Sequence, residues 1–151
     1  MISLYQLLIH NELKLNTKIR YGVRAMLEIA LTDPLLGTFQ KDIAINQDIS
    51  NRYLDHIIAA LKTSGLITTF RGRKSGYILT RKPSEISLYD IYKAFEPDIN
   101  IVDCIAISHH CERELKCATL KPWTELNDII TNYLKNKSLE ELLQIHKEIN
   151  P

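Results

Sequence analysis

SNRYLDHIIAALKTSGLITTFRGRKSGYILT, residues 50–80, decides the fold. Its apolar residues Leu54, Ile57, Ile58 and Leu61 recur at spacings of three and four, the pattern of one helical face. Ser50 in front of them is an N-cap type whose hydroxyl accepts from an orphan backbone N–H, and Gly65 stands where the helix should stop. Asn51, Arg52, Asp55, His56 and Ala59 are left on the outer face. After Gly65 the pattern changes. LITTF and YILT read as short strands joined by RGRKSG, a connection holding three cations and two glycines that permit tight turns.

Upstream, QKDIAIN (40–46) reads as a short helix and Gln47-Asp48-Ile49 as a turn. Before them a helix starts at Thr17, with Ile19, Val23, Met26, Leu27, Ala30 and Leu31 on one face. Asp33-Pro34 ends it, because proline disfavours helical geometry in the residue before it. Three helices followed by a two-stranded basic hairpin give the order of a winged helix–turn–helix. Downstream, SLYD (87–90) has capping-box spacing and opens a helix through about Phe95, which Pro97 ends. Pro122 suits the first position of a longer helix striped by Trp123, Leu126, Ile129, Ile130, Tyr133 and Leu134. Ser138 and Glu141 form another capping box, starting a last helix to about Ile149. The expected fold class is mainly α with a small β-hairpin wing. Residues 1–13 read as an extension, 14–83 as the DNA-binding domain and 84–151 as a cysteine loop with assembly helices.

The charge of +1 conceals an asymmetry. Residues 1–83 carry twelve Lys/Arg against six Asp/Glu, and residues 84–151 carry seven against twelve. A basic half of this kind points to a polyanion. Asn51, Arg52, Asp55 and His56 are types that bond base edges or phosphates, and the hairpin cations Arg71, Arg73 and Lys74 suit backbone or minor groove. Solvated surface is the bland reading of each feature alone. A protein-docking module is the rival of another class, and a steep loss of DNA affinity with salt would count against it. No nucleophile–base pair, phosphate loop or paired acid–base carboxylates stands out, so an enzyme is not expected.

The second half holds all three cysteines, Cys104, Cys111 and Cys117, within fourteen positions, beside His109 and His110. The spacings are C-x₆-C and C-x₅-C, wider than the C-x₂-C pairs usual for zinc. Six residues along a helix rotate by about 240°, so the segment must loop to bring its thiols together. A wide loop of thiolates suits an iron–sulfur cluster. Zinc completed by His109 or His110 ranks second, a thiol switch third, and three buried small hydrophobes last. No stretch reaches the roughly 18 to 20 apolar residues needed to cross a bilayer. The opening MISLYQLLIHNEL lacks a basic n-region and a cleavage site, so a cytoplasmic protein is expected.

LNTKIRYGVRAMLEIAL (15–31), residues 50–67, FRGRKSGYILTRKPSEISLYDI (70–91) and the triple-cysteine loop together resemble the iron–sulfur winged-helix regulators that include IscR, NsrR and RirA. The resemblance covers about residue 13 to the C-terminus. It implies a homodimeric repressor on a partly palindromic operator, with Cys104, Cys111 and Cys117 ligating a [2Fe–2S] or [4Fe–4S] cluster that senses nitric oxide, redox state or iron. It implies DNA contacts from Ser50, Arg52, Tyr53, Asp55 and His56, and from Arg71 and Gly72 in the wing. It also implies that the long helix crosses its mate through Trp123, Leu126, Ile130 and Tyr133. Three positions depart from the pattern: Leu120 stands where IscR-like members have a ligating histidine, Arg20 where some NsrR-like members have a carboxylate, and Ser75 where the wing usually has a first glycine before Gly76-Tyr77. The fourth ligand is therefore open, with His109 and His110 as candidates. Family members begin near Leu13, so residues 1–12 read as a start-site artefact or an extra helix.

Overall fold

The computed structural model describes residues 15–70, 76–107 and 111–151. The elements are α1 (Thr17–Leu31), α2 (Gln40–Gln47), α3 (Asn51–Thr63), β1 (Ile67–Thr69), β2 (Tyr77–Leu79), α4 (Leu88–Lys93), α5 (Leu120–Asn136) and α6 (Leu139–Ile149). The chain is thus mainly helical with one small antiparallel hairpin. Leu15–Pro97 and Leu134–Pro151 form one compact unit, and Asp98–Tyr133 belongs to a second.

The first unit is built on local signals that agree with one another. Asn16 caps α1, its side chain accepting from the Ile19 N–H, and Ser50 caps α3 by accepting from Tyr53. The α3 helix ends in a Schellman turn: Leu66 N–H donates to the Leu61 carbonyl and Gly65 N–H to that of Lys62, with Gly65 at φ +73°. Leu54, Ile57, Ile58 and Leu61 are buried by this helix against Ala25, Met26, Ile29 and Ile43. Each such side chain contributes about 1.5 to 3 kcal/mol over its exposed state. Gly22 sits inside α1 because the Phe95 ring occupies its side-chain space, with Cε2 only 2.3 Å from where a Cβ would stand.

The strands are shorter than their sequence patterns. Ile67 pairs with Leu79, Thr68 with Ile78 and Thr69 with Tyr77. Beyond them, among the described residues, the ladder continues as single bonds, from Phe70 N–H to the Gly76 carbonyl and from Thr80 N–H to that of Leu66. A further two-bond bridge joins Tyr77 to Thr38, which fastens the base of the wing to the segment entering α2.

The capping boxes at Ser87 and Ser138 are both present, and they meet. Leu88 N–H donates to the Lys137 carbonyl and Leu139 N–H to the Ile86 carbonyl, each at 2.8 Å. Leu139 is completely buried and Leu143 nearly so, which seats α6 in the same core as α3. The α5 helix starts at Leu120, two residues before Pro122. Pro122 falls in the first turn, where backbone N–H groups have no intrahelical acceptor, so its missing donor costs nothing there.

Candidate functional site

The helix–turn–helix is set by polar contacts from α1. Arg24 Nε donates to Gln47 Oε1 at 3.0 Å and its guanidinium also reaches the Gln47 carbonyl. Glu28 accepts from Asn46 Nδ2 and Gln47 Nε2 at 2.6 and 2.8 Å. These bonds clamp the end of α2, where Asp48 takes a left-handed conformation at φ 50° and Ile49 N–H returns to the Ala44 carbonyl. The chain turns sharply there, and α3 leaves with a fixed direction.

On α3, Ser50, Asn51, Arg52, Asp55 and His56 are all exposed. Tyr53 is half-buried, its ring meeting the edge of Tyr21 at 5.6 Å between centroids. The exposed set therefore forms one polar surface at the N-terminal half of the helix, the part that enters a major groove in helix–turn–helix proteins. Asp55 is already engaged: Gln40 Nε2 donates to its Oδ1 at 2.5 Å. The sequence pattern gave no hint of Gln40, because this contact joins two elements fifteen residues apart. The wing residues Arg71, Gly72, Arg73 and Lys74 lie outside the described residues, as do Ser75, His109, His110 and residues 1–14.

Cys104, Cys111 and Cys117 are free thiols, each half-buried, on irregular backbone of the second unit. Cys104 lies in a short 3₁₀ turn, Asp103–Ile105, and another, Glu114–Lys116, ends against Cys117. The segment thus loops, as thiol convergence requires. Among the described residues, however, no group of three or more His, Cys, Asp or Glu side chains is gathered to hold a metal ion. The donors fit a thiolate-held group in kind, and the described arrangement does not draw them together.

Cys117 differs from its neighbours. Its Sγ lies 3.2 Å from Thr119 Oγ1. Donation from the Thr119 hydroxyl, helped by the backbone N–H groups of Thr119 and Leu120, lowers the thiol below its ordinary range. The Cys117 carbonyl also accepts from Leu120 N–H, the first residue of α5, at 3.3 Å. Further back, Ile101 N–H donates to Asn127 Oδ1 in the middle of α5. The thiol segment is therefore bonded to α5 at both ends.

The α5 helix has no fully buried residue, and Trp123, Leu126, Ile129 and Tyr133 are exposed at 40 to 64%. Ile130 is half-buried. Ile129 joins this face, an addition to the four residues that the resemblance singled out. No described helix is long and apolar enough to cross a membrane.

Residues 15–145 match the family model described as Rrf2, iron-dependent transcriptional regulator. The HTH-type transcriptional regulator IscR of Photorhabdus laumondii is 34% identical over 131 residues, 87% of this chain and 79% of that protein. Among solved structures, T. potens IscR aligns with a TM-score of 0.73 at 30% identity, covering 92% of each chain. CymR, the global cysteine regulator of B. subtilis, aligns with a TM-score of 0.71 at 31% identity, covering 88% of this chain and 98% of its own.

Proposed function

This chain belongs to the Rrf2 family of helix–turn–helix transcriptional regulators, and we propose that it is a homodimeric repressor whose operator affinity is governed by an iron–sulfur cluster. Cys104, Cys111 and Cys117 would hold the cluster. The α3 surface of Ser50, Arg52, Tyr53, Asp55 and His56 reads a partly palindromic operator. Arg71, Gly72, Arg73 and Lys74 meet its backbone. The observation that carries this reading is the placement of three free, half-buried thiols in one looped segment bonded to α5 at both ends. A bound cluster would supply a cross-link of that segment that nitric oxide, oxygen or loss of iron can break. The chain does the rest. Ordering residues 104–117 fixes the start of α5, and α5, if it crosses its mate, sets the separation of the two α3 helices. A coupling of about 1 to 3 kcal/mol between segment and operator changes affinity roughly 5- to 150-fold.

Anaerobic purification with an absorption spectrum and assays of iron, acid-labile sulfide and zinc tests this. Visible colour with iron and sulfide in near-equal amounts is the expected result. One zinc per chain in a colourless protein would replace the cluster by a zinc site. A second reading, a thiol switch, draws on the acidified Cys117 thiol and on the absence of a gathered donor set among the described residues. A protein that stays metal-free after reconstitution, and whose operator affinity shifts on thiol oxidation, would establish that reading instead.

A further inference from the structure

Gln40, the first residue of α2, is bonded at both ends of its amide. Nε2 donates to Asp55 Oδ1 at 2.5 Å and lies 3.5 Å from the Asn51 carbonyl. Oε1 accepts from the Tyr77 hydroxyl at 3.3 Å. Tyr77 is the residue whose backbone bridges to Thr38 at the base of the wing. One glutamine thus ties β2 to the exposed face of α3.

The direction of these bonds matters. An amide has a donor end and an acceptor end, and a carboxylate only accepts. The Asp55 carboxylate, which only accepts, turns Nε2 toward itself, and the Tyr77 hydroxyl, donating to Oε1, anchors the other end of the amide. The reversed amide would set its oxygen against the carboxylate. Asp55 therefore has one oxygen fixed before any DNA is bound, while Oδ2 has no protein partner among the described residues. An aspartate in the major groove reads cytosine by accepting from its N4 amino group. A carboxylate that turns freely loses that freedom on binding, whereas one already held does not, so the held group discriminates more strongly.

We infer that Gln40, backed by Tyr77, is a positioning residue for sequence preference: it holds Asp55 so that Oδ2 accepts from a cytosine amino group in each half-site. The inference rests on the DNA-regulator reading above and adds to it a residue outside the exposed face of α3.

Selection from a random-sequence duplex pool with the full chain supplies the operator. Affinities for every single-base-pair variant are then measured for wild type, Asp55→Asn, Gln40→Leu and Tyr77→Phe at one salt concentration, with an unfolding curve for each. Asp55→Asn should change the preference at one position per half-site. Gln40→Leu should flatten the preference at that same position by roughly 3- to 10-fold, and Tyr77→Phe by less, with binding to unselected DNA and its salt slope unchanged. Where Gln40→Leu unfolds, Tyr77→Phe decides alone. Equal losses at every position, an unaltered preference in the folded variants, or no position responding to Asp55→Asn would overturn the inference while leaving the regulator reading in place. A wild-type chain that selects no sequence from the pool would bring down both.

Discussion

The backbones of Gly76 and Gly37 pass so closely that a Cβ on Gly76 would stand 2.7 Å from the Gly37 carbonyl carbon and 2.8 Å from the Thr38 nitrogen. Neither contact is with a side chain that could swing away. This approach is what lets Tyr77 and Thr38 exchange two backbone hydrogen bonds and seat the wing on the helical core. Gly76→Ala should therefore cost about 1 to 3 kcal/mol. The measurement is the urea midpoint of unfolding; a midpoint equal to wild type would mean that the Gly37 and Gly76 backbones separate without cost.

Thr38 gives the opposite sign one step along the same bridge. It is 4% exposed, and its hydroxyl has no hydrogen-bond partner among the described residues. A buried polar group left unpaired costs about 1 to 3 kcal/mol, and replacing it by an apolar group of the same shape removes that cost. Thr38→Val keeps the β-branched shape and both backbone bonds. It should raise stability by about 1 kcal/mol, and a variant less stable than wild type would show that the hydroxyl is satisfied in solution.

Leu139 tests whether the C-terminal helix belongs to the DNA-binding unit. It is fully buried, and its N–H donates to Ile86 where the two capped helix starts meet. Leu139→Ala should lower stability by about 2 to 5 kcal/mol and lower operator affinity with it, since α6 packs on α1, which carries Arg24 and Glu28. Loss of stability confined to the α6 helix, with α1–α3 exchanging amide hydrogens at the wild-type rate, would separate the two.

What was legible in the sequence was local. Ser50, Ser87 and Ser138 announce their helices because a cap and its partner lie within three residues, and Gly65 announces a stop for the same reason. Gly76 could be read as a wing glycine, but only the fold shows that it is Gly37 that excludes a side chain there. Gln40 was invisible because its partners, Asp55 and Tyr77, come from two other elements. The meeting of Ser87 and Ser138 is likewise a long-range event that no window of sequence contains. For the cysteines, spacing correctly required a loop. It does not determine whether the thiols converge, since that depends on what they hold.

Cys117 carries a pH prediction. Its folded-state thiol is lowered chiefly by the Thr119 hydroxyl, so the thiolate is favoured in the native chain. The sign follows for a depressed acid: the stabilisation is present above the unfolded thiol's pKa and is lost as pH falls through the folded one. Thr119→Val removes the donor and should raise the thiol. In a metal-free Cys104→Ser, Cys111→Ser background, alkylation by iodoacetamide at neutral pH should slow severalfold relative to the same background with Thr119, because the thiolate is the reacting species. The two rates should converge at alkaline pH, where both thiols are ionised. Identical profiles would leave the backbone N–H groups of Thr119 and Leu120 and the Arg113 charge as the cause.

The exposed face of α5 yields the last prediction. Large apolar side chains scattered singly on a surface are unremarkable, but Trp123, Leu126, Ile129 and Tyr133 lie at spacings of three and four along one helix. A contiguous apolar face of this kind marks an interface, and a second copy of the chain presents the same face in return. Leu126→Asp places a charge in the middle of that face without touching the buried core, since Leu126 is 42% exposed. Sedimentation should then shift from dimer to monomer while the unfolding transition of the Leu15–Pro97 core is retained. Operator affinity should fall further than half-site affinity, because a monomer loses the effective concentration that tethers its second reading head. If Leu126→Asp sediments as wild type, the partner of this face is not another copy of the chain.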